Sequence, residues 1–138
     1  MTFPMSRSPI HLAAVLALCT AILSVGSGCG DDDFEIRGEW RGELHQQGLA
    51  PFHVEATIES LRKSRRNTVH YTEIDCSGNW TFLDRRKGTY RFREVIDRGA
   101  TATCKSVGTV TLTPRGEDRL SYRFQGGGVV SRGVLSRA

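Results

Sequence analysis

Ahead of Asp31 the chain has no acidic residue and a single basic one, Arg7. It also lacks an apolar run long enough to cross a bilayer. Ile10 to Val25 (IHLAAVLALCTAILSV) is apolar apart from His11 and Thr20, and Gly26-Ser27-Gly28 then ends it, short of the ~18 uninterrupted residues a transmembrane helix wants. One positive charge followed by a short apolar stretch is the pattern of a secretory signal. Residues 1–28 are therefore expected to form a signal helix that directs export and stays outside the fold.

Other absences narrow the function. No nucleophile elbow, P-loop, HExxH or dinucleotide-binding glycine fingerprint occurs, so no catalytic activity and no cofactor are expected. The histidines beyond the signal, His45, His53 and His70, all fall on outward strand phases. Neither they nor Cys76 and Cys104 show the spacing of a zinc site, and no metal is expected. The formal charge of +4 drops by one when the signal takes Arg7 with it. An exported chain of modest charge without a recognition motif is not expected to bind nucleic acid.

Helical periodicity is missing as well, and what takes its place is a period of two. FEIRGEWRGELH puts Phe34, Ile36, Gly38, Trp40, Gly42 and Leu44 on one phase, with Glu35, Arg37, Glu39, Arg41, Glu43 and His45 on the other. That is a strand with one dry and one wet face. Phe52 to Ile58 repeats the pattern after Pro51. Further strands are marked by Val69 and Tyr71, by Trp80 and Phe82, and by Tyr90, Phe92 and Ile96. Val110 with Leu112, then Leu120, Tyr122 and Phe124, then Val129 to about Arg137 complete the set. Turns are expected at Arg62–Asn67, Asp84–Gly88, Thr113–Asp118 and Gly126–Gly128. Eight short strands at near-regular spacing suit a closed barrel or a sandwich. Connections too short for crossovers favour a small, all-β, eight-stranded antiparallel meander barrel over residues 34–138.

Gly26-Ser27-Gly28-Cys29 resembles a bacterial lipobox, although an aliphatic residue is usual where Gly26 stands. The resemblance implies that Cys29 is acylated after cleavage and that the protein sits lipid-anchored in a bacterial cell envelope. Residues 29–33, with Asp31, Asp32 and Asp33, then form an acidic tether too charged to fold alone. Cys19 leaves with the signal, so Cys76 and Cys104 remain. In an oxidising compartment they are expected to form one disulfide, contributing roughly 3–4 kcal/mol in the chain-entropy picture. A meander places both at the same end of the barrel, as a disulfide's Cα separation of less than about 7 Å demands. The opposite end, where the tether enters, gathers Arg62, Lys63, Arg65, Arg66, Arg85, Arg86 and Lys87. An acyl chain plus such a basic collar is a two-signal arrangement for an anionic bilayer.

A longer pattern runs Gly38-Glu39-Trp40-Arg41-Gly42, Val69-x-Tyr71, Cys76-x-Gly78-x-Trp80, Phe92-x-Glu94-x-Ile96, Cys104, Leu120-x-Tyr122 and Gly133-x-Leu135-x-Arg137. It resembles a family of small exported bacterial domains that occur as lipoproteins and as extracytoplasmic tails of membrane serine/threonine kinases. That resemblance implies a sensor-like or interaction role and no reaction. A weaker one is to calycin barrels, which include lipocalins and small bacterial protease inhibitors. Their mark is Gly-x-Trp on the first strand, here Gly38-Glu39-Trp40, with a basic residue near the chain end over the tryptophan. It implies that Arg137 packs on Trp40, with the small residues Ser131 and Gly133 nearby.

Glu94 is the odd residue, an acid on an inward phase between Phe92 and Ile96. A carboxylate there needs a hydrogen-bond partner or carries a raised pKa. It either holds the core together or anchors a small ligand. Trp40 poses the same choice between plug and pocket wall, and ten inward aromatics in so small a barrel favour a filled interior with Trp40 as a plug near the middle of its strand. The expected function is a membrane-anchored extracytoplasmic interaction module whose partner is a protein or small ligand. The alternative is a calycin-like periplasmic inhibitor of a secreted hydrolase.

Overall fold

Alternation becomes geometry as soon as each strand finds neighbours on both edges. In the computed structural model, which describes residues 34–99 and 103–138, eight strands do so. They are β1 (Gly38–Gln46), β2 (Phe52–Ile58), β3 (Arg66–Tyr71), β4 (Cys76–Arg86), β5 (Thr89–Arg98), β6 (Val107–Pro114), β7 (Arg119–Gly126) and β8 (Val129–Arg137). Each pairs antiparallel with the next, and β8 returns to β1, so the sheet closes into a barrel in chain order. Closure removes both exposed edges. The signal, Cys29 and the tether lie outside the described residues.

The dry phases point inward. Phe52, Val54, Ala56 and Ile58 of β2 are buried, as are Leu120, Tyr122 and Phe124 of β7. Trp40, Trp80 and Phe92 are the largest fully buried side chains. Rings touch across the lumen, Trp80 with Phe92 at 5.9 Å and with Tyr122 at 6.1 Å between centroids. The seam between β1 and β8 closes tightly: a Cβ on Gly42 would collide with the Val134 carbonyl oxygen, and one on Gly133 with that of Glu43.

Several strand limits differ from the sequence expectation. Phe34 to Arg37 keep the alternating phase but leave the sheet, and β1 starts at Gly38, whose φ is +126°. Ile36 turns in beneath the barrel and is buried, so this segment closes the tether end. Trp40 consequently lies near the start of β1, not its middle. Ser131 and Gly133 pair with Gln46 and Leu44, while Trp40 faces Arg137, so the small residues are not beside the indole. Asp84 to Arg86 belong to β4, leaving Lys87-Gly88 as the whole turn, with φ of +49° and +76°. Two successive left-handed residues make the tight hairpin whose twist matches its strands. Arg66 and Asn67 likewise belong to β3.

Cys76 and Cys104 are joined by a disulfide, with Cα atoms 6.4 Å apart. It lies at the end opposite the entry of Phe34, where the β3–β4 and β5–β6 connections meet.

Candidate functional site

Three groups of residues depart from a plain apolar barrel: a buried polar cluster, an arginine-capped tryptophan, and a cleft at the tether end.

The cluster is built on neighbouring strands. Trp80 of β4 pairs with Glu94 of β5, and Tyr71 and Tyr122 arrive from β3 and β7. Glu94 Oε2 accepts from the Tyr71 hydroxyl at 2.5 Å and from Trp80 Nε1 at 2.6 Å. Tyr71 gives its one proton to the carboxylate, so the Tyr122 hydroxyl, 2.9 Å away, donates to Tyr71. Burial raises the Glu94 pKa, while the Tyr71 and Trp80 hydrogen bonds pull it back down. Burial also holds both tyrosines well above 10, so they stay neutral donors. Both bonds end on one oxygen, Oε2. Beside Glu94, Tyr71 and Tyr122 is a cavity of about 20 Å³, bordered also by Gln46, Phe52 and Ser131, room for about one water molecule. The two hydrogen bonds give Glu94 the partners that a buried carboxylate needs.

Trp40 is held by its surroundings on three sides. Its Nε1 donates to the Ile36 carbonyl at 2.8 Å, and its ring stacks on Phe34 at 6.1 Å. The Arg137 guanidinium lies over it, with Cζ 4.3 Å from the ring centroid. Arg137 also donates to the carbonyls of Arg37 at 3.0 Å and Glu35 at 2.6 Å. One side chain from β8 thus fastens the entering segment across the barrel mouth.

At the same end a cleft of about 1010 Å³ opens between the entering segment, the β2–β3 connection and the β4–β5 hairpin. Phe34, Leu61 and Phe82 give it partly buried apolar walls, with buried Tyr90 beside them. Arg62, Arg65, Arg66 and Arg85 line it, and Arg85 lies over the Tyr90 ring at 4.9 Å. Lys63, Arg86 and Lys87 from the expected collar do not line it. Arg86 turns towards Asp84, 3.5 Å away, and Asp84 also binds Arg91 at 2.9 Å.

Asn67, buried near the start of β3 within a polar run, shapes this cleft. Its side-chain oxygen accepts from the backbone of Glu59 at 2.8 Å and Ser60 at 3.0 Å. Its amide donates to the Ser60 and Trp80 carbonyls, both at 3.1 Å. The one available signal was its inward phase relative to Val69 and Tyr71.

His53 lies outside, hydrogen-bonded through Nδ1 to Glu73 at 2.6 Å. The His53 backbone amide is the main cause that lowers the Glu73 pKa to about 2, with Thr72 and the imidazole adding to it. Among the described residues no group of three or more His, Cys, Asp or Glu is placed to hold a metal ion.

No known protein family and no curated protein matches the sequence. Among solved structures the chain is similar to a de novo designed fluorescence-activating β-barrel, at 17% identity and a TM-score of 0.53, covering 74% of this chain and 93% of that one. At such identity the likeness speaks for the barrel fold alone.

Proposed function

We propose that this protein is a membrane-anchored, extracytoplasmic interaction domain that meets its partners with its outer surface and performs no chemistry. The observation that carries the reading is the filled barrel. Trp40, Trp80 and Phe92 occupy the interior, and the space at Glu94 is about 20 Å³, against the ~300 Å³ or more of ordinary ligand pockets. Recognition is thereby left to the exterior. The calycin-like reading draws its support from Arg137 lying over Trp40 of the Gly-x-Trp motif. The anchoring reading draws on the lipobox-like Gly26-Ser27-Gly28-Cys29 and its short acidic tether. A sensor-like role fits a rigid domain held close to a membrane.

Mass spectrometry of the protein purified from its own membranes tests both halves. Under denaturing conditions a diacylglyceryl adduct on Cys29 is expected, and an unmodified cysteine would end the anchoring reading. Under native conditions the mass should equal that of the acylated chain, alone or with membrane phospholipid. Any other stoichiometric organic ligand would end the surface reading.

A further inference from the structure

We propose that the tether-end cleft binds the phosphate headgroup of an anionic membrane lipid, with Arg62, Arg65 and Arg66 holding the phosphate. The inference rests on the anchoring reading above and names what the anchored domain touches. The cleft joins two chemistries that seldom share one surface. Its arginines suit an oxyanion, because guanidinium offers paired, planar donors that fit phosphate oxygens. Its apolar walls, Leu61, Phe82 and Phe34, suit the glycerol and first methylenes behind the phosphate.

Charge selects the sign of the occupant, for five arginines line the cleft against two carboxylates, Glu35 and Glu59. Arg37 also lines the cleft, but it is spent on Glu35, holding both carboxylate oxygens at 2.8 and 2.6 Å. Among the described residues, no carboxylate lies within ion-pair distance of Arg62, Arg65 or Arg66. The connection that carries Arg62 and Arg65, and leads into Arg66 at the start of β3, is nonetheless ordered. Asn67 pins its first residues, Arg62 N–H donates to Ser60 Oγ at 3.1 Å, and Arg65 N–H to the Arg62 carbonyl at 3.0 Å. A pre-formed loop loses less conformational freedom on binding than a mobile one.

Position selects the source. Phe34 lines the cleft, and the chain from Phe34 back to Cys29 spans at most about 18 Å when fully extended. An acyl chain on Cys29 would hold the cleft within that distance of the bilayer, where headgroups are the most abundant phosphates.

The test uses the full-length chain in a neutral detergent, titrated by calorimetry with micelles doped with phosphatidylglycerol or phosphatidylcholine. Saturable binding at least tenfold tighter for phosphatidylglycerol is expected. The triple variant Arg62→Gln, Arg65→Gln, Arg66→Gln should lose at least tenfold of that affinity. The variant Lys63→Gln, Arg86→Gln, Lys87→Gln removes as much charge from the same end outside the cleft and should lose less than threefold. Emission from buried Trp40 and Trp80 checks that both variants fold. Equal losses from the two variants would reduce the effect to bulk charge and overturn the site. No preference for phosphatidylglycerol would also overturn it, and so would glycerol 1-phosphate binding as tightly as the lipid. Acylation is read separately by mass: an unmodified Cys29 defeats the anchoring reading, whereas an acylated chain without lipid preference defeats this proposal alone.

Discussion

Glu94 and Arg137 use charge in opposite settings. Glu94 is sealed in the core with a raised pKa, its donors arranged on one oxygen. The folded state holds its proton to higher pH than the unfolded state does. Its effect on stability is therefore most favourable below 4.5, and stability falls as pH rises through the raised folded value. Glu94→Gln keeps an acceptor for Tyr71 and Trp80 and removes the titration. Urea melts across pH should show the difference between wild type and Glu94→Gln growing from 4.5 upward, in the variant's favour. Glu35 and Glu73, both lowered to about 2, act below that window and cancel in the difference. Glu94→Ala instead strands two buried donors and should cost about 3 kcal/mol at neutral pH. Arg137 sits on the outside, where its role is attachment. Arg137→Ala removes the guanidinium from Trp40 and two hydrogen bonds from the entering segment. A loss of about 2 kcal/mol is expected, with a red shift of tryptophan emission as water reaches Trp40.

Among the elements, the hairpins carry the clearest test of local geometry. Lys87 holds a left-handed φ of +49° without being glycine. Asparagine tolerates that region better, so Lys87→Asn should raise stability by about 0.5 kcal/mol in equilibrium unfolding. This turn also marks where sequence reading stops. The strands were legible because a barrel wall buries every second residue, and Phe52-x-Val54-x-Ala56-x-Ile58 records that rule directly. Their ends were not. Asp84, Arg85 and Arg86 look like loop residues, yet they extend a ladder whose partners, Arg91, Tyr90 and Thr89, lie on the next strand. Phe34 to Arg37 look like strand, yet leave it because Arg137, 100 residues onward, takes the Arg37 carbonyl. Asn67 failed for the same reason, since its partners at Glu59, Ser60 and Trp80 appear only once three strands are assembled. The need of Glu94 for a hydrogen-bond partner was legible from its phase, but Tyr71 and Trp80 as those partners were not, since they come from other strands. Of the candidate site, single residues were visible and the cleft was not, because it forms where three separate segments meet.

For the whole molecule, the two ends of the barrel are finished differently. One is stapled by Cys76–Cys104; the other is plugged by Ile36 and latched by Arg137. Replacing both cysteines by serine should lower stability by roughly 3 kcal/mol in urea melts, while the Arg137 latch on Trp40, at the far end, stays in place. The latch has a further meaning for the order of events. Seven of the eight strand pairings join consecutive strands, whereas the pairing of β1 with β8 must wait for the end of the chain, and Trp40 for Arg137. A chain delivered from its N-terminus therefore carries its first strand with one edge bare until the last strand arrives. Such an edge is open to pairing with other chains. In refolding, burial of Trp40 under Arg137 should be among the latest events, a clock for completion that the protein carries in its own sequence.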